Sequence, residues 1–196
     1  MFSEAVRKYS RGFLEPLARY ISATGLSPNV VTIIGFLLMI GVAIVLSQGY
    51  LVLGGILITG VALFDGIDGA MARMMGRTSR FGAFLDSTLD RFSEAVIFLG
   101  LFIHFIGENR NQELILIYAT VVGSLMVSYA RARAEGIGVP LKDGLFTRFE
   151  RVFLLVVGLL FNWLTLVLWI LAIFSNLTAI QRMYLVWRIT GGEEGG

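Results

Sequence analysis

Six long apolar segments constrain this chain more than any other feature of its sequence. A helix needs about 20 predominantly apolar residues to cross the hydrocarbon core of a bilayer, and a window of about 19 residues finds six candidates. The segments are Val30–Leu46, Leu51–Met71, Phe81–Ile106, Leu114–Ala134, Val152–Trp169 and Leu166–Val186. The last two overlap, and we predict a tight turn near Asn162 and Trp163 that moves their boundaries by a few residues. The pattern predicts an all-α integral membrane protein with six transmembrane helices.

The composition excludes a water-soluble globular domain. Of the 196 residues, 56% are hydrophobic and 15% are charged, whereas a soluble domain averages about 25% charged residues. This deficit leaves too few charges for a surface that faces water. Cysteine is absent, which excludes a disulfide framework and a thiolate metal site, and we expect no nucleic-acid partner.

The N-terminal segment predicts a helix that lies in the membrane interface. Apolar residues between Phe2 and Ile21 can share one helical face, and the same segment carries four basic residues, a combination typical of interfacial amphipathic helices. A short soluble cap helix is the alternative. Ser27-Pro28-Asn29 then interrupts the chain, because the residue before a proline avoids helical backbone angles and proline suits a first helical turn.

The sequence predicts a single membrane domain over residues 1–190, with the interfacial helix at residues 2–21. The N-terminus lacks the short apolar core and cleavage site of a secretory signal peptide. The Gly/Glu-rich tail at residues 191–196 is predicted to be disordered.

Basic residues lie almost entirely on one side of the predicted spans. With six spans both termini share a side, and fifteen of the sixteen Lys and Arg residues fall on it, with Arg110 on the other. The positive-inside rule places the basic side in the cytoplasm. We therefore predict a multi-pass protein of the cell membrane with both termini cytoplasmic.

Four aspartates lie at the predicted cytoplasmic ends of two neighbouring spans. Asp65 and Asp68 are near the end of the second span, and Asp86 and Asp90 are near the start of the third. Spacings of three and four residues place each pair on one face of its helix. The short basic segment 73–80 joins the two helices, which must therefore run antiparallel and bring the four carboxylates together.

A carboxylate cluster of this kind predicts bound divalent cations. Without cations, four neighbouring aspartates repel one another and become partly protonated. Mg²⁺ and Mn²⁺ prefer oxygen ligands, and two such ions about 3.5–4 Å apart can clamp a pyrophosphate. Arg73 offers a forked donor for phosphate, while Gly69 and Gly82 permit close approach of a ligand.

Ordinary salt bridges are the alternative explanation of the aspartates. Asp65 can pair with Arg73, and Asp90 with Arg91 or Arg80. That explanation suffices for any single aspartate, but four at this spacing, interleaved with glycines and an arginine, favour a site for metal and phosphate.

The spacing resembles the signature of the CDP-alcohol phosphotransferase family, D-x2-D-G-x2-A-R-x8-G-x3-D-x3-D. Every fixed position of that pattern is matched between Asp65 and Asp90. The resemblance implies an interfacial helix followed by six transmembrane helices, and a homodimer. It also implies transfer of a phospho-alcohol group from a CDP-linked lipid to a hydroxyl, with CMP as the leaving group.

The same resemblance implies roles for individual residues. Asp65, Asp68 and Asp86 would bind the metal, and Asp90 would lie at the metal site and act as general base on the acceptor hydroxyl. A carboxylate within hydrogen-bonding reach of that hydroxyl suits such a transfer. The residues expected to bind the CDP-lipid, of which the first four match the family's P-N/D-x-V-T segment, are Asn29, Val30, Val31, Thr32, Gly69, Arg73, Ser79 and Gly82.

Five arginines predict a basic pocket for an acceptor that carries its own phosphate. They lie at the predicted cytoplasmic ends of the fourth, fifth and sixth spans and are Arg131, Arg133, Arg148, Arg151 and Arg182. The alternative is that these arginines anchor the spans and contact lipid headgroups.

The segments around these arginines resemble those of phosphatidylinositol-phosphate synthases and their archaeal counterparts. That resemblance implies inositol 1-phosphate as acceptor, and CDP-diacylglycerol or CDP-archaeol as donor. Two residues depart from the pattern, since Arg131 stands where a lysine is usual in bacterial members and Phe149 where proline is common. Glycerol 3-phosphate, serine and free inositol remain alternative acceptors.

A cation transporter and a structural membrane anchor are the interpretations from other functional classes. Transporters often show two similar halves with broken helices at matching positions. Here all four acids fall within one adjacent helix pair and no second copy is visible. The pattern therefore favours an enzyme.

Overall fold

The computed structural model describes residues 26–74, 79–141 and 144–191, and it leaves out the side chains of residues 66–70 and 72–74. These ranges form six helices, which we number α1 (Pro28–Ser47), α2 (Leu51–Met74), α3 (Arg80–Gly107), α4 (Asn111–Gly136), α5 (Arg148–Leu160) and α6 (Leu164–Thr190). The all-α class is confirmed for the described ranges. The predicted interfacial helix at residues 2–21 lies outside them, as does the predicted tail beyond Gly191.

Three of the described helices are long and apolar enough to cross a membrane, judged by length and composition. They are α1, α4 and α6, and α2 contributes a shorter apolar stretch, Leu51–Asp65. These helices indicate a membrane protein. The arrangement with six spans stays a prediction.

Helix α1 begins where the sequence predicts an interruption. Ser27 has an extended backbone (φ −79°, ψ 151°), and its Oγ accepts a hydrogen bond from the Val30 amide at 3.4 Å. Pro28 occupies the first helical turn, where its missing N–H leaves no hydrogen bond unmade.

The turn near Asn162 and Trp163 is also confirmed, and it corrects the boundaries of the fifth and sixth apolar segments. Helix α5 ends at Leu160 and α6 begins at Leu164, so the predicted segment Val152–Trp169 ran past the turn, whereas Leu166–Val186 lies within α6 and was too short at both ends. Hydropathy does not detect this turn because apolar residues continue through it. Asn162 has a φ of 57°, a left-handed conformation that asparagine tolerates better than most residues.

The chain divides into two compact units, Met1–Leu101 and Phe102–Gly196. In the first unit, α1 packs against α2, and it runs parallel to α3. Three contacts occur in the same order along α1 and α3. Asn29 lies against Gly82, the rings of Phe36 and Phe92 meet at a centroid distance of 6.4 Å, and Ala43 lies against Gly100. The N-termini of α1 and α3 therefore lie at the same end.

One close contact between α1 and α3 requires a glycine. A Cβ atom on Gly100 would lie 2.4 Å from the Ala43 carbonyl oxygen. This distance is shorter than a van der Waals contact, so any side chain at position 100 would clash with the α1 backbone. Gly100 thus allows the two backbones to pack directly against each other.

In the second unit, α6 packs against both α4 and α5. Asn176 of α6 donates from Nδ2 to the backbone carbonyl of Ala119 in α4, at 2.9 Å, and lies directly against Gly123. At the start of the same two helices, the buried Glu113 carboxylate accepts hydrogen bonds from Arg110 Nε at 3.1 Å and from Thr165 Oγ1 at 2.9 Å. Polar contacts therefore fix α4 to α6 at the middle and at one end.

Candidate active site

Three of the four predicted metal ligands come together in the first unit. Asp65 lies on α2, and Asp86 and Asp90 lie one turn apart on α3. One carboxylate oxygen from each lies within 4.8 Å of one from each of the others. Two ligands of one Mg²⁺, each about 2.1 Å from the ion, are at most about 4.2 Å apart. The three carboxylates therefore fit a divalent cation after only small side-chain rotations.

The side chains around these carboxylates limit how they can turn. Asp90 Oδ2 lies 3.4 Å from Arg91 Nη1, which also donates to the Ser87 carbonyl at 2.9 Å. On the other helix, Asp65 Oδ1 lies 3.5 Å from the position that a Cβ atom would take on Gly35 of α1. The pair of Asp90 with Arg91 is one of the salt bridges that the sequence allowed, and it engages a single oxygen of Asp90.

Two helix N-termini meet beside these aspartates. Ser79 caps α3, since its Oγ accepts a hydrogen bond from the Gly82 amide at 2.8 Å. A Cβ atom on Gly82 would lie 2.9 Å from Ser79 Oγ and 3.0 Å from Asn29 Oδ1, so the first turns of α1 and α3 touch at this glycine. Helix N-termini carry partial positive charge and free N–H groups, a combination that attracts phosphate groups.

The structure describes the side chains of only some of the other residues predicted to bind the CDP-lipid. Val30 is exposed on α1, whereas Val31 and Thr32 are buried. Thr32 donates from Oγ1 to the Pro28 carbonyl at 3.1 Å and thereby supports the first turn of α1. Asp68, Gly69 and Arg73 belong to α2, but their side chains lie outside the described residues.

The structure separates the five predicted acceptor arginines by burial. Arg131 is 48% exposed and pairs with Glu135 on its own helix at 2.8 Å, Arg133 is exposed and Arg148 is half-buried. In contrast, Arg151 and Arg182 are only 3% and 5% exposed. A buried guanidinium is costly unless it is hydrogen-bonded, so the last two are held in fixed positions.

Arg151 and Arg182 hold the connection between α4 and α5. Arg151 donates from Nη1 to the Phe146 carbonyl at 3.3 Å, and Arg182 from Nη1 to the Val127 carbonyl at 2.6 Å. Gly144 lies against the second guanidinium, because a Cβ atom there would be 2.9 Å from Arg182 Nη2. The Leu145 amide donates to Gln181 Oε1 at 3.1 Å.

A capping box starts α5 beside these arginines. Thr147 and Glu150 exchange hydrogen bonds between the side chain of each and the backbone of the other. Burial raises the pKa of the Glu150 carboxyl, but hydrogen bonds from the Thr147 hydroxyl and from backbone amides outweigh it, so this pKa lies below its usual range. Glu150 is therefore ionised at neutral pH and stabilises the first turn of the helix.

The sequence analysis did not identify two glycines, Gly35 and Gly144, that lie against predicted site residues. Gly35 lies one helical turn after Thr32, so helical spacing from the predicted nucleotide segment was the available signal. No sequence pattern indicated Gly144, because its contact with Arg182 joins positions that are far apart in the chain.

Comparison with known proteins decides the family. Residues 25–181 match the sequence profile of the CDP-alcohol phosphatidyltransferases. The chain belongs to the CDP-alcohol phosphatidyltransferase family. It is therefore a transferase, and the carboxylate cluster lies within the matched region.

Relatives of this phosphatidyltransferase include enzymes of inositol lipid synthesis. It is 38% identical over 172 residues to an archaetidylinositol phosphate synthase of Pyrococcus horikoshii, covering 87% of this chain and 89% of the relative. Its fold matches the crystal structure of the Mycobacterium tuberculosis phosphatidylinositol phosphate synthase with CDP-DAG bound, with a TM-score of 0.84, 34% identity and coverage of 89% and 93%. The structure of that synthase in complex with manganese and citrate matches with a TM-score of 0.83, 35% identity and coverage of 89% and 88%.

Proposed function

We propose that this phosphatidyltransferase moves the phosphatidyl-type group of a CDP-lipid onto a hydroxyl of inositol 1-phosphate and releases CMP. One observation carries the proposal: the carboxylates of Asp65, Asp86 and Asp90 converge in the unit where the N-termini of α1 and α3 meet. The donor is CDP-diacylglycerol or CDP-archaeol, in keeping with relatives named for phosphatidyl and for archaetidyl lipids.

The metal site of the proposed enzyme consists of Asp65, Asp68, Asp86 and Asp90 and holds two Mg²⁺ or Mn²⁺ ions. When bound, these ions would neutralise negative charge on the pyrophosphate of the CDP-lipid. The close approach of three carboxylate oxygens supports this assignment, because a bound cation relieves the repulsion between like charges at such a distance. A relative solved with manganese supports it further.

The CDP group of the donor binds at the paired N-termini of α1 and α3. Asn29, Ser79 and Gly82 lie together there, and the Ser79 hydroxyl can donate its own proton while it accepts from the Gly82 amide. The full set proposed to bind the CDP-lipid is Asn29, Val30, Val31, Thr32, Gly69, Arg73, Ser79 and Gly82.

Asp90 acts as the general base of the transfer. It takes the proton of the acceptor hydroxyl as that oxygen forms a bond to the lipid-bearing phosphorus. The bond from this phosphorus to the bridging oxygen breaks at the same centre, and CMP leaves with the electron pair. Arg73 stabilises the charge that develops on the departing phosphate.

The acceptor's phosphate binds, in this proposal, to arginines at the predicted cytoplasmic ends of the last three spans. Arg151 and Arg182 are the principal ligands in this proposal, because their burial and their bonds to backbone carbonyls preorganise the guanidinium groups. Arg131, Arg133 and Arg148 add positive charge that attracts the acceptor. An acceptor that carries its own phosphate makes use of this positive charge, which an acceptor without a phosphate would not.

The proposed enzyme is a homodimer of the cell membrane. Each chain forms one membrane domain over residues 1–190, in which an interfacial helix precedes six transmembrane helices. The distribution of basic residues supports a cytoplasmic location for both termini and for the active site.

The proposal is tested by CMP release from the detergent-purified protein with Mg²⁺ and a CDP-lipid. Inositol 1-phosphate, glycerol 3-phosphate, serine and inositol are supplied separately, and Asp86→Asn is the inactive control. Release with inositol 1-phosphate alone is the expected result. Release with another acceptor would keep the reaction and overturn the acceptor, and no release with any acceptor would overturn the proposed activity.

A further inference from the structure

Gly35 is a glycine at a position where an apolar helix normally carries a side chain. It is buried on α1, in line with Val31, Met39, Val42 and Leu46. Glycine inside a helix costs about 0.5–1 kcal/mol relative to alanine. A buried glycine among larger apolar residues therefore indicates that something lies close to the backbone at this point.

The neighbour of Gly35 is the carboxylate of Asp65. A Cβ atom on Gly35 would lie 3.5 Å from Asp65 Oδ1 and 3.9 Å from Phe64 Cδ1. A methyl group fits this space in van der Waals contact. A branched side chain adds two γ carbons beyond that methyl position, and we expect at least one of them to restrict the carboxylate because valine has one strongly preferred χ1 rotamer in a helix.

We infer that Gly35 is a positioning residue, whose missing side chain leaves the Asp65 carboxylate room to turn toward a bound metal ion. The inference rests on the proposed metal site. A carboxylate is a rigid planar group, so a displaced Oδ1 turns the other oxygen with it. Residues that orient a ligand in this way typically change metal affinity by about 10–100-fold when they are altered.

Gly41 offers a matched control on the same helix. It is exposed, and a Cβ atom there would meet nothing within 4 Å. Valine at position 41 changes helix propensity and hydrophobicity as valine at position 35 does, without approaching a carboxylate.

The test measures binding of Mn²⁺ to the detergent-purified protein by the electron paramagnetic resonance signal of the free ion. For Gly35→Val we expect the Kd for Mn²⁺ to rise about 10-fold or more, with a smaller rise for Gly35→Ala and none for Gly41→Val. A wild-type Kd in folded Gly35→Val, or an equal rise in Gly41→Val, overturns the inference. If Gly35→Val does not fold, Gly35→Ala decides, because its methyl group already touches Oδ1.

Asp65→Asn separates this inference from the metal site on which it rests. If that variant weakens Mn²⁺ binding, the site stands and the Gly35 variants test the positioning role alone. If Mn²⁺ binding is unchanged in Asp65→Asn, the proposed site fails and the inference fails with it.

Discussion

Arg182 of α6 donates a hydrogen bond of 2.6 Å from Nη1 to the backbone carbonyl of Val127 in α4. The guanidinium is buried, so this bond joins two helices inside the second unit and fixes the direction of a positive charge. Arg131, which the sequence groups with Arg182, instead pairs with Glu135 at the surface of its own helix. We therefore expect substitutions of Arg182 and of Arg131 to have different effects on binding of the acceptor.

Arg182→Lys should weaken binding of the acceptor. Lysine keeps the charge but loses the planar fork, so it cannot bind the Val127 carbonyl and a phosphate in the same geometry. A hydrogen bond to a charged group contributes about 1.5–3 kcal/mol, which predicts that KM for inositol 1-phosphate rises about 10-fold or more while KM for the CDP-lipid is unchanged. Steady-state CMP release measures both constants.

Arg131→Lys is the control for this comparison. Exposed ion pairs contribute little, so its KM for inositol 1-phosphate should stay near that of the wild type. A lower melting temperature in Arg182→Lys with an unchanged KM would show that Arg182 has only a structural role.

Asp90→Asn should abolish the proton transfer while keeping the shape of the side chain. Loss of a general base typically costs about 10²–10⁴-fold in rate, so we expect the rate constant of the chemical step to fall by at least about 100-fold. The measurement is single-turnover CMP release at saturating Mn²⁺, with bound metal quantified in the same sample. Near-normal turnover with metal still bound would exclude Asp90 as the base, and Glu108→Gln, an exposed acid just after the far end of α3, serves as control.

Much of the fold was predictable because it depends on short-range chemistry. Apolar length approximately located the six helices of the described ranges, and the proline after Ser27 marked the start of α1. The aspartate cluster was predictable for the same reason, since Asp86 and Asp90 lie one turn apart and a short connection returns the chain from α2.

Features that depend on packing between distant segments were not predictable. The sequence gives Arg131 and Arg182 the same charge at similar predicted depths, and only the packing of α4 on α6 buries one of them. The contact of Gly35 with Asp65 likewise depends on how α1 lies on α2, which local spacing does not determine.

Glu113→Gln should destabilise the second unit without changing the chemistry. The buried carboxylate accepts hydrogen bonds from Arg110 and Thr165, and the amide would keep one acceptor oxygen but lose the charge that pairs with Arg110. We expect a loss of about 1–3 kcal/mol, seen as a lower melting temperature in detergent, with the Kd for Mn²⁺ unchanged. A double-mutant cycle with Thr165→Val should show coupling, and strictly additive effects would contradict a shared network.

Alanine should destabilise the protein at one glycine of α4 and not at another. A Cβ atom on Gly123 would lie 2.8 Å from Asn176 Nδ2 and 2.9 Å from the Asn176 backbone nitrogen, whereas one on Gly136 would meet nothing within 4 Å. Gly123→Ala therefore forces α4 and α6 apart and should cost about 1–3 kcal/mol, while Gly136→Ala should be neutral or slightly stabilising because alanine is the better helix former. Melting temperatures of the two variants in the same detergent provide the comparison. Equal shifts, or stabilisation by Gly123→Ala, would mean that α4 and α6 do not pack closely at Gly123.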